Sequence, residues 1–223
     1  MTEPGLFQTM YTTRALRRFK PDAIPDEVLF QVFDAAIRAS SGQNAQDWRF
    51  LVITDPGVKA KLQEWALEGW ARYQSRFGTE EAIAALPRSQ RLSLFSVRDL
   101  SRAIGAVPAV VGVMGLKGRH STPGGSVFPA VQNLQLAARA LGLGSSIFNL
   151  PFGHKDELLE MLKIPENNEL YCLLPMGYPT DKQGPVKRKP VREVVYWEKF
   201  GERWPFAEGQ PDTGWQAKWV PAE

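Results

Sequence analysis

Within "IPDEVLFQVFDAAIRAS" (24–40), apolar residues fall at Val28, Leu29, Val32, Phe33, Ala36 and Ile37. That is the spacing of one helix face, and Asp26 and Glu27 suit its positive N-terminal end. The polar stretch "SGQNAQD" follows as a loop, and "WRFLVIT" (48–54) reads as a buried strand. Residues 55–77 leave a turn to become a helix rich in aromatics, and 79–102 predict a second helix interrupted near Pro87. "VPAVVGVMG" (107–115) is a second strand, followed by turn formers over 116–125.

The clearest helix is "SVFPAVQNLQLAARALGLG". Val127, Val131, Leu134, Ala138 and Leu141 share a face, Ser126 can cap it, and Gly142 ends it. "SSIFNL" reads as a short strand or turn, 155–163 as a short helix, and "ELYCLLPMGYP" (169–179) as a third core strand. A basic Pro/Gly loop then leads to "VREVVYW", which reads as a last strand. No repeat and no strong break in composition divide the chain. The expectation is an α+β fold with a main domain over 1–200 and a Trp-rich tail over 201–223 that packs on the domain or on a partner subunit. Trp204, Trp215 and Trp219 make that tail too aromatic for a solvated linker.

Composition narrows the function classes. The 223 residues are 43% hydrophobic and 23% charged, enough apolar material for a sizeable core. A net charge of +3 favours anionic ligands but is too small for a nucleic-acid surface. The single cysteine, Cys172, sits in an apolar run and reads as a small core residue in a cytoplasmic protein. The start carries no secretory pattern, and the longest apolar stretch, 103–116, is broken by Pro108 and too short to span a membrane. Neither a dinucleotide-binding glycine pattern nor a P-loop is present. Only His120 and His154 exist, without metal-ligand spacing, and each reads as a surface or loop residue. No metal site and no catalytic side chain are expected, so any redox chemistry belongs to a bound cofactor.

Three segments could bind one. "TTRALRRFK" (12–20) holds Arg14, Arg17, Arg18 and Lys20, and a second cluster holds Lys187, Arg188 and Lys189. Guanidinium forks pair with phosphate oxygens, although a solvated charge run is the simpler reading of either cluster alone. In "SSGQNAQDW" (40–48), Ser41, Asn44 and Gln46 bring hydroxyl and amide groups, and Gly42 permits close backbone approach. Such amides suit a heterocycle edge; a plain connecting loop is the simpler alternative.

These segments, in this order, resemble the nitroreductase family of FMN-dependent oxidoreductases. "TTRALRRFKPDAIPDEVLFQVFDAAIRASSGQNAQDWRFLVITD" is similar to its opening. "SVFPAVQNLQLAARALGLGSS" resembles its central helix and turn, and "PMGYP" with "KRKPVREVVYW" its C-terminal signature. Ala15 stands where that family usually has Ser, Thr13 where Arg is frequent, and Ser40 and Asp47 where Pro is common.

The resemblance implies a mixed or antiparallel central sheet flanked by helices in an intertwined homodimer, with FMN at the interface. It implies that Arg14, Ala15, Arg17, Lys187 and Arg188 surround the phosphate, with Arg17 also reaching the flavin's pyrimidine side and Arg18 left to solvent. Ser40, Ser41, Gly42, Asn44 and Gln46 would contact the partner's flavin. Ile147, Phe148 and Asn149 would lie along the ring, a backbone N–H of Phe148 or Asn149 donating to N5. NAD(P)H would reduce the flavin at N5, and a small electron-poor acceptor would then take the hydride. Trp65, Trp70, Tyr73 and Phe77 read as mostly core rather than flavin cover. The same resemblance touches reductive dehalogenases and flavin-fragmenting enzymes, and a flavin-binding module without turnover is the non-enzymatic alternative.

Overall fold

The computed structural model describes residues 5–118 and 122–210. Trp215, Trp219 and His120 lie outside them. Packing divides the chain into two compact units, Ala15–Lys182 and the two ends, Met1–Arg14 with Gln183–Glu223.

In chain order the elements are α1 (Leu6–Thr12), α2 (Asp26–Ala36), β1 (Arg49–Ile53), α3 (Pro56–Gln74), α4 (Glu80–Ala84), α5 (Arg88–Ala103) and β2 (Ala109–Leu116). Then come α6 (Val127–Ala140), β3 (Gly144–Ser145), α7 (Lys155–Met161), β4 (Asn168–Gly177), α8 (Val191–Val194) and α9 (Pro205–Glu208).

Within the larger unit the strands form one antiparallel sheet in the order β1-β2-β4-β3. Helices α2 and α6 cover one face, where Val32, Ala36, Val131, Leu134 and Ala138 meet Val111, Val113, Cys172, Leu174 and Met176. On the other face, Leu62, Trp65, Leu100 and Leu158 from α3, α5 and α7 meet Val110, Met114, Leu170 and Leu173. Both faces are dry, which is why β2 and β4 read as unbroken apolar runs without alternation. A bulge opposite Val113 and Met114 leaves Tyr171 unpaired in the ladder. Tyr171 and Cys172, though consecutive, therefore pack on the same core.

Local chemistry sets the helix ends. The Asp55 carboxylate accepts from Val58 N at 2.8 Å and Pro56 opens α3. Pro87 separates α4 from α5. After α6, Gly142 turns left-handed at φ +81, letting Leu143 N donate to Ala138 O at 2.7 Å. Ser126 precedes α6, but its hydroxyl makes no cap bond; it accepts from Gly42 N at 3.2 Å instead. Gly69 lets α3 press on the turn Leu150–His154, since a β-carbon there would collide with the Leu150 carbonyl.

The smaller unit adds one helix and corrects one expectation. Helix α1 lies in a stretch with no helical assignment from the sequence, and its end is tied to the late basic loop by Val186 N donating to Tyr11 O at 3.1 Å. "VREVVYW" forms no strand. Pro190 starts a single helical turn, α8, and only an isolated bridge from Tyr196 to Arg203 follows. Within this unit residues 191–197 are mostly exposed and meet no ladder, so their β-branched side chains have no sheet to join. Trp204 is fixed by stacking on Trp197 at 5.7 Å.

Candidate active site

Residues 15–20 run extended along the ends of β3 and β4. Leu16 N donates to Ser145 O at 3.1 Å, Lys20 N to Tyr178 O at 2.8 Å, and Thr180 N to Arg18 O at 3.1 Å. Leu16 is buried and anchors the segment, leaving Ala15 exposed. The Leu16–Ser145 bond sets the arginine segment in register with the turn 146–149 that follows β3. Two groups of predicted residues, Ala15 with Arg17 and Ile147 to Asn149, are thereby brought together.

The neighbouring arginines have opposite surroundings. Arg18 donates to Asp99 Oδ2 at 2.6 Å and to Asp181 Oδ2 at 3.3 Å, and the Asp99 bond raises its already high pKa. It is paired, not simply solvated. Burial works against the Asp99 carboxylate, but hydrogen bonds from Arg18 and Arg98 outweigh it and hold the group below the usual range. Arg17 is half-buried and bonded to a hydroxyl, its Nη1 donating to Ser96 Oγ at 3.1 Å. Its Nε is buried with no partner. Burial lowers its pKa, partly offset by the nearby Tyr73 phenol. A cation kept from water without a carboxylate is poised for an external anion.

The turn 146–149 divides its candidates. Ile147 is 43% exposed and offers its side chain, whereas Phe148, at 3%, is buried in the core with α3 and α7. Phe148 N is occupied, donating to Leu173 O at 2.9 Å, which removes it as a free donor and leaves Asn149 N. The Asn149 side chain knits the turn to β4: Oδ1 accepts from Leu173 N at 3.1 Å and Nδ2 donates to Tyr171 O at 3.3 Å.

The loop 40–46 is held by polar groups of its own and by the Gly42–Ser126 bond. Ser41 Oγ accepts from Gln46 N at 3.1 Å, and Gln46 Nε2 donates to Asn44 Oδ1 at 3.2 Å. Left-handed backbone is taken by Gln43, Asn44 and Gln46, with φ between 50 and 54, and not by Gly42. Such strain concentrates at binding loops. Ser40 is exposed beside it. Among the described residues no hydrogen bond joins this loop to Arg17 or to 147–149.

In the smaller unit Arg14, Lys187 and Arg188 are all exposed, on segments joined by the Tyr11–Val186 bond. The side chains of Arg14 and Lys187 make no hydrogen bond to another described residue, and Arg188 Nη1 donates to the Lys187 carbonyl oxygen at 2.9 Å. Trp65 and Trp70 are buried as expected, while Phe77 is exposed. Ser96 carried no sequence signal: it is one serine among several in a helix, distinguished only by what faces it.

Within the larger unit, a half-buried cation at the end of the sheet and a polar loop with left-handed backbone stand in an α+β fold. The nitroreductase family model matches residues 11–178, and the chain belongs to that family. It is similar to an NADH dehydrogenase of Thermus thermophilus, 29% identical over 191 residues, covering 82% of this chain and 91% of that protein. It is 27% identical over 211 residues to an iodotyrosine deiodinase of Thermotoga neapolitana, covering 85% of this chain and 95% of that one. A crystal structure of oxidized iodotyrosine deiodinase bound to FMN and 3-iodo-L-tyrosine superposes with a TM-score of 0.70 at 26% identity, over 88% of this chain and all of the other. Among the described residues no helix is long and apolar enough to cross a membrane, and no group of acidic, His or Cys residues could hold a metal ion.

Proposed function

We propose that this protein is an FMN-dependent oxidoreductase that takes hydride from NAD(P)H and delivers it, in a ping-pong cycle, to a small electron-poor acceptor such as a nitroaromatic or quinone. The observation that carries the reading is Arg17, half-buried and, among the described residues, unpartnered at Nε and bonded to no carboxylate. The residues present fit an anionic flavin nucleotide. FMN, when bound, supplies the hydride-accepting centre. Arg14, Lys187 and Arg188 serve its phosphate with fork-shaped and point charges, beside Ala15, which adds no hydroxyl. Arg17 would lie toward the flavin's pyrimidine side, where its charge would favour the anionic reduced ring. Asn149 N–H is the remaining donor for N5, and Ile147 offers the apolar contact. The reading assigns no side chain to proton transfer; among the described residues the Cys172 thiol is buried, and His154 is engaged with Glu68 at 2.7 Å.

The loop 40–46 serves a partner subunit's flavin in a homodimer, and its left-handed backbone at Gln43, Asn44 and Gln46 suits a binding loop. Phe200, 91% exposed, with Leu6, Phe7, Val194 and Phe206, supplies apolar surface for that partner. Residues 1–200 then form the FMN-binding domain and 201–223 its packing tail, in a cytoplasmic protein.

The test is the absorbance of the purified dimer before and after anaerobic NADPH. A flavin spectrum that bleaches, then recovers with nitro compounds or quinones, supports the reading; a colourless protein that takes up no FMN ends it. The deiodinase relatives support a second reading, reductive dehalogenation. Recovery with 3-iodotyrosine but not with nitro compounds selects it.

A further inference from the structure

We propose that Ser96, on α5, is a positioning residue that holds the Arg17 guanidinium by one arm while leaving its charge uncompensated. The inference rests on the flavin reading of Arg17 above. Helix α5 meets the arginine segment at two positions one turn apart, Ser96 under Arg17 and Asp99 under Arg18. The chemistry differs between them. A carboxylate neutralises Arg18, whereas a hydroxyl receives Arg17. The Ser96 hydroxyl donates its only proton to Ser93 O at 2.7 Å, so it presents a lone pair to Arg17 as a fixed acceptor. One Nη1–H is thereby committed, and the remaining donors, including the buried Nε–H, are free for an anion. The phenol of Tyr73, on α3, acts on the same guanidinium. Helix α5 thus reaches the arginine assigned to the flavin through a neutral hydroxyl.

The consequence is electrostatic. A guanidinium held in place without an internal counter-ion interacts with the reduced, anionic flavin more strongly than with the oxidised ring. Removing the hydroxyl lets the guanidinium swing toward water. Placing a carboxylate at 96 compensates the charge on the spot.

The experiment measures FMN dissociation constants and the midpoint potential of the wild-type holoenzyme and of Ser96→Ala, Ser96→Thr, Ser96→Asp and Arg17→Gln, with thermal unfolding as a folding check. Ser96→Ala lowers the preference for reduced over oxidised FMN about tenfold, near the lower end of what a hydrogen bond to a charged group contributes. That is a drop of about 30 mV for a two-electron couple. Ser96→Thr restores the wild-type potential, and Ser96→Asp lowers it further than Ser96→Ala. If Arg17→Gln lowers the potential while Ser96→Ala and Ser96→Asp leave it at the wild-type value, Arg17 acts without Ser96 and the proposal falls alone. A wild type that binds no FMN overturns the flavin reading and the proposal together.

Discussion

Gly69→Ala sets two opposing effects against each other. Gly69 lies inside α3, a 19-residue helix, where replacing glycine by alanine ordinarily favours folding by about 1 kcal/mol. Here the added methyl has nowhere to go. It would stand 2.9 Å from both the carbonyl carbon and Cβ of Leu150, and closer still to the carbonyl oxygen. Two of those atoms are backbone and cannot rotate aside. Relief requires α3 and the turn Leu150–His154 to separate, and overpacking of this kind costs about 1–3 kcal/mol. The clash is severe, so we take the upper part of that range, and the net is a destabilisation of about 1–2 kcal/mol. For a chain of this size that corresponds to a melting temperature lower by roughly 2–8 °C. Urea unfolding supplies the measurement, read as a lower midpoint at unchanged slope. Ala71→Gly, at an exposed position of the same helix, isolates propensity and should cost about 1 kcal/mol. The turn continues directly from 146–149, so Gly69→Ala should also release FMN more readily. A variant as stable as wild type, or more so, would show that propensity outweighs the contact and refute the reasoning.

Three further outcomes can be checked. Asn149→Ala strands Leu173 N–H and Tyr171 C=O beside β4 and should cost about 1–3 kcal/mol in urea unfolding. The hydrogen bond His154 donates to Glu68 raises its pKa, assisted by Glu157 and opposed by desolvation, with the ring stacked on Trp65 at 5.3 Å and Lys61 and Arg72 acting on the two glutamates. A raised folded-state pKa gives stability that is complete below the unfolded value of about 6.5 and is lost as pH rises through the folded value. His154→Gln should therefore be less stable than wild type at pH 6 and converge with it at pH 9, measured by urea midpoints. Burial pushes the Cys172 thiol up to about 12, so native protein should react with Ellman's reagent only as fast as it unfolds, against immediate reaction in urea.

Wherever a local rule sufficed, the chain could be read directly. The apolar face and terminal glycine of α6, the break at Pro87 and the burial of Cys172 all appear as expected, because periodicity, ring closure and hydrophobicity act over a few residues. The ordered motifs also indicated the family. Folding decided what depends on distant neighbours. Arg17 and Arg18 are adjacent and identical in sequence, yet one meets Ser96 and the other Asp99 and Asp181, more than seventy residues away. Phe148 turned inward and Ile147 outward because the turn is pinned to β4. "VREVVYW" has strand composition but no edge to pair with, so it became a helical turn. A charge reveals itself in one letter, but its countercharge, and hence its function, is a property of whatever the fold places beside it.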